Sequence, residues 1–154
     1  MRETTTPTTK IIEDMLSRDP HRIWHASCEI VSLSQNHERI MELVPYKEKM
    51  QDATKGIDLG GVIAPNKRFL TKAFDLLHFY EKNQSCPCTT LGEDSNPCHL
   101  ETDEYVTILE TKYYDNSNYV DYYIVRCNKC HTTYKVEERE YHMTWWSWKP
   151  IDRA

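Results

Sequence analysis

Residues 122–136 read YYIVRCNKCHTTYKV, and this stretch decides the fold of the C-terminal half. Apolar and aromatic residues run up to Cys127, two residues follow, and Cys130 precedes a second run of the same kind. Short runs rich in Tyr, Val and Ile predict β-strands, so the stretch predicts two strands with a pair of thiols at their junction. A second close pair of cysteines lies upstream in SCPC, at 85–88. Together the two pairs predict a metal site.

The pair at the junction is typical of a zinc knuckle, in which two thiolates bind one ion and nearby backbone N–H groups donate to the sulfurs. A C-x2-C pair followed by a strand resembles half of a zinc ribbon. The upstream pair departs from that pattern, because its spacing is C-x-C and Pro87 restricts the residue before it to extended backbone. The predicted ligands of a Zn²⁺ ion are Cys86, Cys88, Cys127 and Cys130, with Cys98, His99 and His131 as substitutes. Reduced cysteines packed as small apolar side chains are the alternative.

Catalytic motifs with recognisable spacing are missing from the sequence. The nucleobase-deaminase pattern, H-x-E followed by P-C-x-x-C, is absent, as are H-E-x-x-H and G-x-S-x-G. A Cys/His nucleophile pair that meets only in space stays open. We therefore expect the metal to be structural and the protein not to be an enzyme.

The segments EYVTILETKYY and NYVDYYIVRC flank the turn signal DNSN and predict a β-hairpin. Pairing Tyr114 with Tyr119 sets Lys112 opposite Asp121, which favours that register by charge. The same register predicts a core face made of Leu109, Thr111, Tyr113, Val120, Tyr122 and Ile124. A third strand is predicted in TTYKVEEREYHMTWWSW.

The first half of the chain predicts helices. Asp19 is a candidate N-cap with Pro20 at the first helical position, Pro45 predicts a break after Val44, and Gly56 is a natural helix-ending residue. DPHRIWHASCEIVSL resembles the first helix of a HEAT repeat. The predicted fold is α+β: an antiparallel helical bundle over 1–85, HEAT-like in style, packed as one folded unit on a zinc-ribbon-like antiparallel sheet over 86–154.

Charge is distributed unevenly between the halves. Residues 1–85 contain 12 Lys/Arg and 12 Asp/Glu, whereas residues 86–154 contain 7 and 12, so the net charge of −5 arises entirely in the second half. Phosphate backbones attract basic surfaces, so this balance argues against nucleic acid as partner. It favours a basic protein instead. The predicted contact residues are Glu93, Asp94, Glu101, Asp103 and Glu104, together with Trp145, Trp146 and Trp148, since exposed tryptophans are typical binding anchors.

The first ten residues, MRETTTPTTK, form no apolar signal region, and the sequence has no run of 18 apolar residues. We therefore expect a cytoplasmic protein with no membrane partner. In a reducing compartment, six cysteines favour thiols or metal ligands over disulfides.

Small size, absent catalytic motifs, an acidic half and a structural metal resemble the cytosolic immunity proteins of bacterial polymorphic-toxin systems. The resemblance implies a protein that neutralises a cognate toxin domain by covering its active site or blocking its docking. The alternative is a zinc-ribbon module that binds nucleic acid or a transcription or translation complex.

Overall fold

A computed structural model describes residues 5–61, 65–82 and 85–152. The chain separates into two compact units, with the boundary between Ser85 and Cys86. The first unit is helical and the second is built on an antiparallel sheet, which confirms the α+β class and the order of the two halves. The likenesses to a HEAT repeat and to a zinc ribbon, and the packing of the halves into one unit, stay predictions.

Five α-helices form the described part of the first unit. They are α1 (Thr8–Leu16), α2 (Pro20–Ser32), α3 (His37–Leu43), α4 (Lys47–Thr54) and α5 (Lys67–Lys82). The side chain of Asp19 accepts a hydrogen bond from the N–H of Arg22 at 3.0 Å, with Pro20 at the first helical position, so the predicted start of α2 is confirmed. Pro45 lies in a 3-10 turn between α3 and α4. Gly56 follows α4 with a φ of 72°, a conformation that favours glycine.

The core of the helical unit is drawn from all five helices. Its fully buried large side chains are Ile11, Met15, Ile23, Ile30, Leu33, Ile40, Leu43, Met50 and Leu77. Burying such side chains supplies most of the stability of amphipathic helices as short as these. In the described ranges no helix has the length and apolar character that crossing a bilayer requires.

The second unit begins with a 3-10 turn at Pro87–Thr90 and the short helix α6 (Pro97–Thr102). A four-stranded antiparallel sheet follows, in the order β1-β2-β3-β4. Its strands are β1 (Val106–Tyr113), β2 (Val120–Cys127), β3 (Thr133–Tyr141) and β4 (Met143–Asp152). Its buried core, which includes two of the cysteines, contains Cys88, Leu91, Val106, Tyr123, Val125, Cys127, Tyr134 and Val136.

The predicted hairpin between β1 and β2 forms, but its core face was wrong. The N–H of Tyr114 donates to the carbonyl of Tyr119 at 3.0 Å, as the predicted register requires. Beyond that pair the register shifts, so Lys112 lies opposite Tyr122 and not Asp121. A second shift occurs at Leu109, which is 50% exposed. Bulges of this kind change which side chains face inward.

The predicted third strand is two strands. A tight turn at His142, with a φ of 64°, separates β3 from β4, and Tyr141 pairs with Met143 across it. Neither glycine nor proline marks this turn, so the sequence carries no standard turn signal there.

Both outer edges of the sheet make hydrogen bonds to neighbouring segments. The backbone N–H of Ile108 in β1 donates to the carboxylate of Glu101 at 2.7 Å. On β4, the N–H of Trp146 donates to the carbonyl of Glu93 at 3.2 Å. The segment after the first cysteine pair therefore lies along the edge of β4.

Candidate metal centre

The sulfurs of Cys86, Cys88, Cys127 and Cys130 lie within 4.8 Å of one another. Two pairs are closer, at 3.6 Å for Cys86 and Cys127 and 3.5 Å for Cys88 and Cys130. A tetrahedral ion with metal–sulfur bonds of about 2.3 Å places its ligand sulfurs about 3.8 Å apart. The four sulfurs therefore already have nearly the spacing that one tetrahedral ion requires, and no disulfide forms among the six cysteines.

Two local turns aim these sulfurs at one point. On the upstream side, Pro87 opens a 3-10 turn, in which the N–H of Thr89 donates to the carbonyl of Cys86. On the downstream side, the N–H of His131 donates to the carbonyl of Cys127 at 2.9 Å, and His131 takes a φ of 65° that starts the return into β3. Each turn thus brings two thiols to the same side of the backbone.

Polar groups of the same unit contact three of the sulfurs. The N–H of Lys129 donates to Sγ of Cys127 at 3.4 Å, the hydroxyl of Thr132 lies 3.2 Å from Sγ of Cys130, and the phenol oxygen of Tyr134 lies 3.0 Å from Sγ of Cys88. In the Thr132 contact the thiol of Cys130 donates to the hydroxyl, whereas the N–H of Lys129 donates to sulfur and the phenol of Tyr134 is able to. Groups that donate to metal-bound thiolates offset their negative charge and orient the ligands.

The four thiols do not share charge equally. The hydrogen bond from Cys88 lowers the pKa of the Cys127 thiol far below its ordinary value, against the effect of burial, and the N–H groups of Cys130 and Lys129 lower it further. The same sulfur–sulfur hydrogen bond, followed by burial, raises the pKa of Cys88. Burial raises the pKa of the Cys130 thiol, but hydrogen bonds with Thr132 outweigh burial and lower it, whereas burial raises the pKa of Cys86. The downstream pair of thiols is therefore more acidic than the upstream pair. A cation that supplies positive charge at the centre favours ionisation of the remaining thiols.

The centre lies at the edge of the sheet core. Cys88 and Cys127 are buried among the core side chains, and Cys86 and Cys130 are partly buried against them. Four thiolates complete a tetrahedral shell, so this donor set offers no coordination position for a substrate or a catalytic water. What the arrangement can do chemically is hold the segment at 86–90 to the junction of β2 and β3.

The three substitute ligands lie outside this cluster. Cys98, on α6, is exposed, and its sulfur lies 3.6 Å from the phenol oxygen of Tyr123. His131 is exposed beside the centre, and His99 is partly buried on α6. Neither histidine belongs to the group of side chains that converge on the centre.

The predicted contact residues are divided between the two edges of the sheet, with Glu93 beside β4 and Glu101 beside β1. Glu93 and Asp94 precede α6, whereas Glu101, Asp103 and Glu104 lie in it or just after it. Trp146 and Trp148 pack against the sheet core and use their ring N–H groups internally. The ring N–H of Trp146 donates to Glu138 at 3.0 Å, and that of Trp148 donates to the carbonyl of Ser95 at 2.9 Å. Trp145 is partly exposed. Two of the three tryptophans therefore serve packing.

The contacts of Tyr134 and Thr132 with the sulfurs were not predicted from the sequence. A signal existed, because these residues lie four and two positions after Cys130 in the motif CHTTY. Alternation along a strand that begins at Thr133 places Tyr134 on the same face as Val136, and donors beside a metal site commonly come from the next few residues.

Comparisons with protein-family models, with curated proteins and with solved structures found no match to this chain.

Proposed function

We propose that this protein is a non-catalytic binding protein in which a structural Zn²⁺ at the four cysteines organises an acidic surface for a basic protein partner. The convergence of the four sulfurs carries the proposal. Zn²⁺ is the ion that four thiolates in tetrahedral arrangement favour most commonly in proteins. The free thiols are consistent with the reducing environment of the cytoplasm.

The structural role is supported by what the metal joins. The segment at 86–90 contributes two ligands and leads directly to Glu93, which lies along β4. With zinc bound, the loop that carries Glu93 and Asp94 is anchored at one end by the metal and at the other by α6. A fully ligated ion acts here as a cross-link and not as a Lewis acid.

The basic partner is supported by how the charges of this unit are paired. Arg139 contacts both Asp121, at 3.2 Å, and Glu137, and Lys149 also contacts Glu137, at 3.4 Å. The positive charges of these two bases are thus neutralised by acids of the same unit. Glu93 and Glu104 are exposed, and their carboxylates have no hydrogen-bond or ion-pair partner in the described part of the chain. The field of this unit is therefore negative, which accelerates association with a basic protein.

The partner class proposed is a basic toxin domain that this protein neutralises in the manner of a bacterial immunity protein. Neutralisation requires only a complex that covers the partner's active site or docking surface, so it needs no catalytic group on this chain. A surface with unpaired carboxylates and a rigid zinc-bound loop is suited to such blocking.

The test begins with capture of partners from the native cells by the zinc-loaded protein, followed by identification and purification of the partner. Association is then measured for the Glu93→Lys, Asp103→Lys, Glu104→Lys triple variant. Glu101 is left intact because its carboxylate binds the N–H of Ile108. We expect the association rate constant at low salt to fall about ten-fold or more, with a flatter dependence on salt.

The matched control reverses three exposed acids of the helical unit, Glu13, Glu42 and Asp75, to lysine. It changes the net charge by the same amount, so it separates a local surface from overall charge. An equal effect of both triple variants would contradict the proposed surface. Capture of nucleic acid with a steep salt dependence, or turnover of a small substrate abolished by a cysteine substitution, would contradict the proposed function itself.

A further inference from the structure

A groove of about 490 Å³ lies at the end of the sheet remote from the metal centre. Its walls come from the turn between β1 and β2 and from the facing ends of β3 and β4. The lining residues are Tyr114, Ser117, Tyr119, Val120, Glu138, Arg139, Glu140 and Thr144. The eight residues of β2, from Val120 to Cys127, separate the groove from the metal centre by about 23 Å. The groove is therefore a second site, independent of the cysteines.

Two tyrosines form the outer wall of the groove. Tyr119 is 74% exposed and Tyr114 is 45% exposed, which is unusual for such large side chains at neighbouring positions. Three hydrogen bonds hold the turn. The N–H of Tyr114 donates to the carbonyl of Tyr119, the N–H of Ser117 donates to the carbonyl of Tyr114 at 3.1 Å, and the N–H of Tyr119 donates to the hydroxyl of Ser117 at 2.9 Å. Hence two aromatic faces are held open to solvent.

The charge of the groove is negative despite the presence of Arg139. The guanidinium of that residue is engaged by the carboxylates of Asp121 and Glu137 and by two backbone carbonyls. Two carboxylates, of Glu138 and Glu140, remain in the lining. Glu138 is held in place by the phenol of Tyr123 and the ring N–H of Trp146, whereas Glu140 is exposed and has no partner for its carboxylate in the described part of the chain.

We propose that this groove binds an exposed arginine side chain of the basic protein partner. A guanidinium stacks on a tyrosine ring and donates hydrogen bonds to a carboxylate alongside, and the groove offers both groups at once. The inference rests on the proposed function for the nature of the partner, and it assigns the contact to a different end of the sheet unit. The volume of the groove lies in the range of sites that accept small ligands, so the arginine enters with its flanking backbone.

A second groove, of about 720 Å³, lies in the helical unit and differs from the first in charge and in aromatic lining. Its charged lining residues are Asp52, Asp58, Lys55 and Lys67, so acids and bases are equal in number, and Lys55 lies 3.8 Å from Asp52. Its one lining aromatic residue is Phe74. This groove lacks the net charge and the exposed tyrosines, and it serves as the internal control for weak peptide binding.

The experiment is an NMR titration of the zinc-loaded full chain with a short Gly/Ser peptide that carries one central arginine. The comparison peptides carry citrulline, which is neutral and similar in shape, or lysine. We expect the arginine peptide to shift the amide signals of Tyr119, Val120 and Glu140, with a millimolar dissociation constant. The citrulline and lysine peptides should bind about two- to five-fold more weakly or worse. Equal binding of all three peptides, or shifts centred on Phe74, would overturn the proposal.

Single substitutions test which groove residues bind the arginine peptide. Tyr119→Ser and Glu140→Gln should each weaken the arginine peptide about two- to five-fold. Tyr119→Phe should retain binding because it keeps the ring. Tyr141→Ser and Glu110→Gln are the matched controls, since both residues are exposed on the same sheet but outside the groove lining. If the captured partner binds normally while the arginine peptide shows no shifts, the groove assignment fails and the proposed function stands.

Discussion

The phenol oxygen of Tyr134 lies 3.0 Å from the sulfur of Cys88, so a core aromatic residue of β3 contacts a candidate metal ligand directly. Both residues are buried, and the ring of Tyr134 also packs edge-on against Trp148, with centroids 5.5 Å apart. The packing of the sheet and the position of this ligand are thereby coupled. A change at the metal is expected to reach the sheet core through this contact.

The first prediction concerns this hydrogen bond. Tyr134→Phe removes the hydroxyl and keeps the ring, so the fold should persist while the donor to the Cys88 thiolate is lost. Zinc affinity, measured by competition with a chromogenic chelator, should fall about ten-fold. Tyr141→Phe, which removes a hydroxyl from a 76% exposed ring, is the control and should bind zinc as the wild type does. Equal affinities for all three proteins would contradict a role for the contact in metal binding.

The second prediction is the metal content. Protein purified without chelator should contain about one zinc per chain by elemental analysis, because four thiolates form one closed shell. Cys127→Ser should lose the zinc, whereas Cys98→Ser should keep it, since the sulfur of Cys98 lies outside the cluster. A wild-type content below about 0.2 zinc per chain would remove the metal from the proposal.

The third prediction concerns Asp14 in the helical unit. Burial raises the pKa of its carboxyl, but hydrogen bonds from Lys10 at 2.9 Å and Arg22 at 2.8 Å outweigh burial and lower the pKa below 3.8. A lowered folded-state pKa gives stability that is fully present at neutral pH and is lost as the pH falls through the folded value. Asp14→Asn should therefore reduce the free energy of unfolding by about 1.5 kcal/mol at pH 7.

Chemical denaturation followed by far-UV circular dichroism at several pH values measures this difference. The gap between wild type and Asp14→Asn should shrink once the pH is below the ordinary aspartate value of 3.8. Asp75→Asn, at an exposed site on α5, is the control and should change stability little. A gap that stays constant down to strongly acidic pH would show that the carboxylate does not act through its charge.

The fourth prediction tests the corrected face of the hairpin. Val125 is fully buried and Leu109 is 50% exposed, although the sequence favours the opposite assignment. Val125→Ala should lower the free energy of unfolding by about 2 kcal/mol through lost burial and a residual cavity. Leu109→Ala should cost less than about 0.5 kcal/mol. The reverse order of the two effects in urea denaturation would restore the face expected from the sequence.

Local signals predicted three of the helical boundaries, the start of α2 and the ends of α3 and α4. Asp19, Pro20, Pro45 and Gly56 act through their own backbone or side-chain chemistry, so their effects can be read without knowing the fold. The four cysteines that converge are the preferred set from the sequence, although the sequence alone left three substitute ligands open. These features depend on a few neighbouring residues each.

The hairpin face was not predicted because it depends on bulges. The shifts at Leu109 and Asp121 are set by how the whole strand packs, and no residue type announces them. One usable signal was the position of Cys127 in the alternation of side chains along β2. Its thiol faces the other three sulfurs and the core, so Val125 and Tyr123, at alternate positions, share its face. The split between β3 and β4 was missed because His142 adopts a left-handed conformation without a glycine or asparagine to mark it.

The hydrogen bond from the N–H of Trp146 to the carbonyl of Glu93 bears on the solubility of the protein. An unpaired edge strand is a template for joining other chains, and natural proteins cover such edges or interrupt them. Here the cover begins at the first cysteine pair, and Pro150 adds a position without an N–H. With zinc at the proposed site, its removal by a chelator is therefore expected to free the segment from β4 and to cause aggregation through the exposed edge.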